Sequence, residues 1–187
     1  MKKFLIIGDK NAITFNEIFP LIRKNRIWIG VKPMGGSLWF PTVDSHTSKS
    51  KKMFDGVLMT EVPCCWYTNI DNKKRHEKLD LYKKYYGHEE EYPKYDNYDA
   101  INVDKTADIP MDYDGVMGVP ITYLDKHDDN VFEIVGMLKI NSPDKYMFGI
   151  PYINGKQLYA RVLIKRLNPP IPYFTDEELE EFSDSII

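Results

Sequence analysis

The feature that most constrains the fold is an uninterrupted apolar run close to the start of the sequence. Phe4 to Ile7 are consecutive apolar residues, and Gly8 and Asp9 end the run with a polar turn. A strand with one face in solvent alternates apolar and polar residues, whereas a continuous run rich in Ile and Leu is typical of a strand covered on both faces in a parallel sheet. The run therefore predicts an interior strand of an α/β sheet.

A strand of that kind needs neighbours on both sides, and no strand signal precedes Phe4 in this sequence. Its partners are expected either later in this chain or outside it. Folded proteins rarely leave an apolar edge strand bare. We therefore expect Phe4 to Ile7 to lie at or near an exposed sheet edge that the C-terminal tail, a second copy or another chain covers.

The residues after this run carry the signals of a crossover helix. Thr14 to Glu17 have the capping-box pattern, and Ile13 and Ile18 occupy the positions of a hydrophobic staple. Pro20 either kinks this helix or delays its start. Short strands are predicted next, and the turn signal Asp55-Gly56 joins two of them in a hairpin. In order, these strands are Arg26–Gly30, Ser37–Phe40, Lys52–Phe54, Val57–Met59 and Cys64–Tyr67.

A change of composition at Asn69 predicts the domain organisation. Residues 1–70 have the pattern of the closing half of a doubly wound α/β sheet. Residues 71–167 are predicted to be a mainly β region. Residues 168–187 are a proline-rich segment and a short acidic helix, whose capping box begins at Thr175.

The strands of the mainly β region are predicted from apolar runs between turn signals. Val119–Leu124 and Val131–Gly136 flank a polar turn. Asn154-Gly155 is the strongest hairpin signal in the chain, and it joins Pro151–Ile153 to a long strand at Gln157–Arg166.

Net charge and cysteine content narrow the class of protein. The formal net charge is −3 at pH 7, which argues against a protein that wraps nucleic acid with its whole surface but permits a local basic face. Cys64 and Cys65 are adjacent, so they point to opposite faces of a strand and a disulfide between them is strained. Reduced thiols in the cytoplasm are therefore expected. No stretch approaches the length of a membrane span.

The sequence lacks the common catalytic and metal-binding motifs. It contains no glycine-rich phosphate loop, no nucleophile elbow, and no HExxH or CxxC pattern. The four histidines are scattered without ligand spacing and are interpreted as surface residues: His46, His76, His88 and His127. No catalytic, cofactor-binding or metal-binding residue is therefore predicted in this chain.

A basic stretch is the one candidate for nucleic-acid contacts. Between residues 71 and 84, cations outnumber acids, and phosphate contacts are predicted for Lys73, Lys74, Arg75, Lys78, Lys83 and Lys84. A solvated surface is the competing interpretation of such a run. Tyrosines follow between residues 82 and 98, and they either stack on bases or line the edge of the core.

Asn168-Pro169-Pro170-Ile171 partly matches a motif of amino-methylating enzymes. In those enzymes an Asn-Pro-Pro-aromatic sequence binds the target amine, and its aromatic ring stacks on the flipped base. Here the fourth residue is Ile, and only a short acidic tail follows. We interpret the segment as a proline-rich terminator of the preceding strand.

Five segments, in the same order, resemble one family. They are KFLIIGDKNAITFNEIFPLI (3–22), CWYTNIDNKKRHE (65–77), YPKYDNYDAINVDK (92–105), YDGVMGVPITYLDK (113–126) and INGKQLYARVLIKR (153–166). Together they are similar to the second half of EcoRI-type adenine-specific DNA methyltransferases. The resemblance implies a Rossmann-like sheet and transfer of a methyl group from S-adenosylmethionine to the exocyclic amine of a flipped adenine in double-stranded DNA.

The family's cofactor loop and Asn-Pro-Pro-Phe motif lie upstream of the first resembling segment, so no family catalytic residue maps onto this chain. The resemblance implies that Asn11 lies near the cofactor crevice, but it assigns no role to this residue. The chain is expected to be the C-terminal portion of such an enzyme, inactive alone and completed by a separate chain or a second copy. The alternatives are a non-catalytic DNA- or protein-binding module, and a small phage-type enzyme with an unrelated site.

Overall fold

The computed structural model describes residues 2–31, 38–42, 50–139 and 145–168, which form a mixed α/β fold with several sheets and few helices. The α-helix α1 spans Phe19–Arg23. The 3₁₀ helices are Lys10–Thr14, Lys73–His76, Glu89–Glu91, Thr106–Asp108 and Ile121–Lys126. The strands are β1 (Leu5–Asp9), β2 (Trp28–Ile29), β3 (Leu38–Pro41), β4 (Lys51–Phe54), β5 (Val57–Val62), β6 (Cys64–Thr68), β7 (Ile101–Asn102), β8 (Met117–Pro120), β9 (Phe132–Leu138), β10 (Tyr152–Ile153), β11 (Lys156–Gln157) and β12 (Arg161–Arg166).

The first sheet has the strand order β1-β6-β2, with both outer strands antiparallel to β6. β6 is the central strand and is buried along most of its length, as its apolar sequence predicts. Register along β1 runs from Leu5 opposite Thr68 to Asp9 opposite Cys64. Tyr67 on β6 packs directly beneath Gly8, where an added Cβ would lie 2.9 Å from the tyrosine ring. Gly8 therefore permits close packing at the end of β1.

The predicted placement of β1 is partly wrong and partly confirmed. The strand is antiparallel to its neighbour and its aliphatic side chains are largely exposed, so the interpretation as an interior strand of a parallel sheet is wrong. The expectation of a sheet edge is confirmed, because within the described residues β1 pairs with β6 alone. The apolar run is therefore not explained by burial within the described part of this chain.

Pro20 delays the helix rather than kinking it. The residues after β1 form the 3₁₀ helix Lys10–Thr14, and α1 begins only at Phe19, with Pro20 in its first turn. Proline is tolerated there because the first helical N–H groups have no intrahelical partner. Phe19 and Ile22 of this short helix are buried.

Both predicted hairpins are confirmed. β4 and β5 pair through the two-residue turn Asp55-Gly56, and β10 and β11 pair through Asn154-Gly155. All four turn residues have positive φ, between 46° and 77°. This is the backbone conformation that two-residue hairpin turns require, and Asn, Asp and Gly adopt it most readily. β3 adds to the first hairpin in the order β3-β5-β4.

The four-stranded sheet has the order β7-β8-β12-β9, with β7 parallel to β8 and the other pairs antiparallel. Two strands are shorter than predicted. β8 ends at Pro120, because the next residues form the 3₁₀ helix that buries Tyr123 and Leu124. The long strand from Gln157 is interrupted: the Leu158 N–H still donates to the Pro151 carbonyl across the β10–β11 hairpin, 2.9 Å away, and β12 begins only at Arg161.

One hydrophobic core joins the first sheet to the four-stranded sheet. Cys65 and Tyr67 of β6 belong to the same buried cluster as Met117 of β8 and Val162 and Ile164 of β12. On the other face of β12, Leu163 packs in a second cluster with buried or partly buried residues. The domain boundaries at residues 70 and 167 stay predictions, but the described residues on both sides of position 70 share this core.

Several expectations fall outside the described residues. These include part of the polar loop before β4, the prolines of the Asn-Pro-Pro-Ile segment, and the acidic helix from Thr175. None of the helices in the described ranges is long and apolar enough to cross a membrane.

The central position of β12 generates a stability prediction. Ile164→Ala lowers the free energy of unfolding by about 2–5 kcal/mol, because Ile164 is fully buried and its truncation leaves a cavity. Tyr159→Ala, at a side chain that is 89% exposed, changes it by less than about 0.5 kcal/mol. Urea unfolding followed by circular dichroism measures both. Equal losses in the two variants would contradict the assignment of β12 to the core.

Candidate nucleic-acid interface

The basic stretch begins with the 3₁₀ turn Lys73–His76, which follows the first sheet. Arg75 anchors this turn: its guanidinium lies 3.6 Å from the ring centroid of Trp28 on β2. The Trp28 indole N–H in turn donates to the Ile70 carbonyl, 3.0 Å away. Cation–π stacking on tryptophan is the strongest contact of this type, so the stack fixes the turn against the sheet.

Hydrogen bonds and ion pairs complete the shell around Arg75. Nη2 donates to Asn25 Oδ1 at 2.7 Å, and Nη1 donates to Asp71 Oδ1 at 3.2 Å. Asp129, which Asn25 also contacts, lies 3.8 Å from Nη2. Arg75 therefore forms ion pairs with two carboxylates of this chain, Asp71 and Asp129.

Lys74 also points inward. Its Nζ lies 3.5 Å from Asp125 Oδ1, and the two side chains are only 17% and 9% exposed. The pair borders a cavity of about 30 Å³ that Trp28, Asn72 and His127 also line. A polar cavity of this size accommodates a single water molecule. Lys74 therefore ties the turn to the 3₁₀ helix Ile121–Lys126, on which Asp125 lies.

The remaining predicted contact residues lie further out. Lys73 and Lys78 have exposed side chains. Lys83 is half-buried and pairs with Glu91 at 3.5 Å, and Lys84 is half-buried. The structure thus divides the six predicted residues into two inward cations, two exposed lysines and two half-buried lysines. Their role in DNA binding stays a prediction.

Most of the tyrosines line the core rather than the surface. Tyr92 and Tyr95 are buried, and the Tyr85 ring packs against Tyr92 and Tyr113 at centroid distances of 5.7 and 4.4 Å. Burial raises the pKa of Tyr92 to about 12, so its hydroxyl stays protonated and donates to the Asp108 carbonyl. Two tyrosines of the stretch remain exposed and available for stacking, Tyr82 at 65% and Tyr86 at 58%.

The interpretation of the histidines as surface residues is wrong for His127. Its Nδ1 lies 3.0 Å from the Tyr123 hydroxyl, and burial lowers the pKa of the imidazole to about 4. The ring is therefore neutral near pH 7. No signal in the sequence indicated this contact, because Val119–Leu124 has the pattern of a strand and the 3₁₀ helix Ile121–Lys126 ends before His127. His76 and His88 are exposed as expected, and His46 lies outside the described residues.

Two other candidate groups do not form sites. Ligand atoms of His88, Glu90 and Glu91 lie within 4.8 Å of one another, but all three residues are exposed and Glu91 already pairs with Lys83 and His88. Asn168 is exposed at the end of the described residues, and its three following motif positions are not described.

Comparison with known proteins identifies relatives of one kind. The model of the family described as adenine-specific methyltransferase EcoRI matches residues 1–167. The type II methyltransferase M.EcoRI of Escherichia coli is 44% identical over 169 residues, covering 88% of this chain and 50% of that protein. M.MpnI of Mycoplasma pneumoniae is 32% identical over 182 residues, covering 88% of this chain and 57% of that protein. The chain thus spans about half the length of these relatives. No solved structure matches.

The inward pair Lys74–Asp125 generates a stability prediction. Lys74→Ala lowers the free energy of unfolding by about 1–3 kcal/mol, because the nearly buried Asp125 carboxylate loses its cation. Lys73→Ala, in the same turn but exposed, changes it by less than about 0.5 kcal/mol. A double-mutant cycle with Asp125→Ala, measured by urea unfolding, gives a coupling of about 0.5 kcal/mol or more. Strictly additive losses would show that the pair is not a structural contact.

The half-buried His127 generates a pH prediction. The pKa of this imidazole is about 4 in the folded protein and near 6.5 when exposed, so the unfolded chain binds the extra proton first. The contribution of His127 to stability is constant above pH 6.5 and is lost progressively as the pH falls from 6.5 to 4. Urea unfolding at pH 7 and pH 5 should show a smaller pH-dependent loss in His127→Gln than in the parent. If the parent and His127→Gln lose the same free energy of unfolding between pH 7 and pH 5, His127 is exposed to solvent in the folded protein.

Proposed function

This chain belongs to the family of EcoRI-type adenine-specific methyltransferases, and from that premise we propose that it supplies the C-terminal, DNA-binding portion of such an enzyme. The complete enzyme transfers a methyl group from S-adenosylmethionine to the exocyclic amine of adenine in double-stranded DNA. Methyl transfer requires the portion of the relatives that this chain does not span. In the sheet of the complete enzyme, β1, β6 and β2 form the closing part of a Rossmann-like arrangement.

The observation that carries this proposal is the continuity of the family match through both sheets. The matched span, residues 1–167, includes the basic turn Lys73–His76, which supports a role for this turn in the family's shared function. The 44% identity to a DNA-modifying relative supports a role of the same kind here.

DNA binding is proposed at the face that carries the basic turn. Lys73 and Lys78 contact phosphates directly, because their side chains are exposed. Lys83 and Lys84 are proposed as further phosphate contacts, although Lys83 also pairs with Glu91. Lys74 and Arg75 act mainly by positioning the turn. Phosphate contacts of this kind release counterions, so the attraction is local and salt-dependent although the chain is net acidic.

The groove beside β1 does not fit S-adenosylmethionine. Its lining among the described residues is apolar apart from Arg26 and the Tyr67 hydroxyl, and it includes no carboxylate. The cofactor carries a cationic sulfonium and an ammonium beside its one carboxylate, and the described lining offers no acidic side chain for either cation. No step of the reaction is therefore assigned to residues of this groove, and the cofactor is held by the rest of the enzyme.

A non-catalytic DNA-binding module is the second candidate, favoured by the inward ion pairs that stabilise the basic turn within this chain. Either protein would work in the cytoplasm with its DNA.

The buried Cys65 is compatible with that compartment. Burial raises the pKa of its thiol, so this cysteine stays protonated and reacts poorly.

The exposed lysines generate the central functional prediction. The parent chain binds duplex DNA of any sequence with a dissociation constant of about 10⁻⁴ to 10⁻⁶ M at physiological salt. Lys73→Ala/Lys78→Ala weakens this binding and lowers the slope of log K against log salt by about 1.8, since each lost phosphate contact removes about 0.9. Fluorescence anisotropy of a labelled duplex across a salt series measures both quantities.

The matched control is Lys156→Ala/Lys165→Ala, which removes two other exposed lysines. This variant should retain the parent slope. If the binding constants of the parent and both double variants depend on salt in the same way, the basic turn is not part of the DNA interface. Asn168→Ala serves as a second control and should bind DNA as the parent does, because we assign no site to its motif.

The cofactor assignment generates a separate prediction. Calorimetric titration of the full chain with S-adenosylmethionine should give no binding in the low micromolar range, because the groove beside β1 lacks an acidic partner for the sulfonium. Binding at that level would show that this chain holds the cofactor without the rest of the enzyme.

A further inference from the structure

A groove beside the β10–β11 hairpin contains an aromatic side chain that the core does not explain. The groove has a volume of about 420 Å³, and its described lining consists of Lys139, Ile150, Pro151 and residues 157–160. Tyr159, one of these residues, is 89% exposed. A ring with so little contact adds almost nothing to the packing of the described residues, although the rest of the lining is mostly apolar. We call this feature the hairpin groove.

Three groups in this lining match three parts of a nucleotide. The exposed Tyr159 ring offers a face for base stacking, which tolerates any base because every base has a π face. The Gln157 amide carries hydrogen-bond donors and an acceptor, which suit the edge of a base. Lys139 is the one charged residue in the described lining, so the hairpin groove favours an anion such as a phosphate over a cation.

Hydrogen bonds fix the backbone that carries these groups. The Asn97 amide donates from Nδ2 to the Ile150 carbonyl at 2.8 Å. Arg161, whose side chain is only 13% exposed, donates from Nη1 to the Tyr159 carbonyl at 3.3 Å. The walls are therefore formed by this chain before any ligand arrives, and a preformed site loses less conformational entropy on binding.

The hairpin groove lies at the carboxyl end of β1. Lys139 Nζ donates to the Thr14 carbonyl 2.7 Å away, and Thr14 ends the 3₁₀ helix that follows β1. Open α/β sheets bind their ligands outside the carboxyl ends of the strands. The groove is therefore next to the edge of the sheet at which the reaction of the complete enzyme is expected.

We propose that the hairpin groove holds an unpaired base of the bound DNA, stacked on Tyr159 and hydrogen-bonded to Gln157. This inference rests on the proposed function, which supplies such a base: when the target adenine leaves the duplex, the thymine opposite it loses its partner. The adenine itself is assigned to the portion of the enzyme that this chain does not span. The groove takes the unpaired thymine and thereby stabilises the opened duplex.

The test measures the affinity of the full 187-residue chain for three labelled duplexes by fluorescence anisotropy. The first duplex is fully paired, the second places a thymine opposite an abasic site, and the third has abasic sites on both strands at that position. We expect the second to bind about fivefold or more tighter than the first and the third, because stacking of one base on an aromatic side chain has an effect of that size. The third duplex is as deformable as the second but offers no base.

Variants of the hairpin separate stacking from other effects. Tyr159→Ala should abolish the preference for the unpaired thymine, and Tyr159→Phe should keep it, because stacking needs the ring and not the hydroxyl. Gln157→Ala should weaken the preference by removing a hydrogen bond to the base. The matched control is Lys156→Ala, on the same hairpin but outside the described lining, and it should keep the full preference.

Equal affinity for the second and third duplexes, or an unchanged preference in Tyr159→Ala, would overturn the proposal. Self-association of the chain that Tyr159→Ala reverses would also overturn it, because the groove would then hold a second copy. The paired duplex separates the two proposals, since its binding depends on Lys73 and Lys78 and not on Tyr159. If the parent does not bind it, the proposed function fails and this inference with it, whereas paired binding without a preference contradicts this inference alone.

Discussion

The hydrophobic contact between the first sheet and the four-stranded sheet is the constraint on which the rest of the structure depends. Cys65 and Tyr67 of β6 share a buried cluster with Val162 and Ile164 of β12. Because the two sheets are joined in this way, Trp28 on β2 lies close to the segment that carries Asp125 and Asp129. The basic turn Lys73–His76 fits between them, held by stacking on Trp28 and by the carboxylates opposite.

This arrangement divides one basic run into two functional kinds of residue. Cations that face the core meet carboxylates of the same chain and stabilise the turn, whereas exposed Lys73 and Lys78 keep their charge at the surface. A net acidic protein can therefore present a local phosphate-binding surface. The same logic explains why neutralising an inward cation is expected to affect folding, and neutralising an outward one to affect DNA affinity.

The sequence predicts local features well and long-range ones poorly. Both two-residue hairpins and the buried strand β6 follow from turn chemistry and from apolar runs, which act over a few residues. Apart from Asp71, the partners of Arg75 and Lys74 are distant in the sequence, so composition around residue 75 could not reveal them. The antiparallel pairing and the exposure of β1 were missed for a different reason: an apolar run indicates neither the direction of the neighbouring strand nor which chain covers the side chains.

Methyl transfer in a mixture is the most direct test of the account. The full chain is combined with the portion of E. coli M.EcoRI that it does not span, and incorporation of labelled methyl groups from S-adenosylmethionine into duplex DNA is measured. Incorporation at adenine is expected only when both polypeptides are present, and it should fall markedly when the chain carries Lys73→Ala/Lys78→Ala, because the duplex then loses two phosphate contacts. Incorporation by this chain alone, or undiminished incorporation with the double variant, would contradict the proposed function.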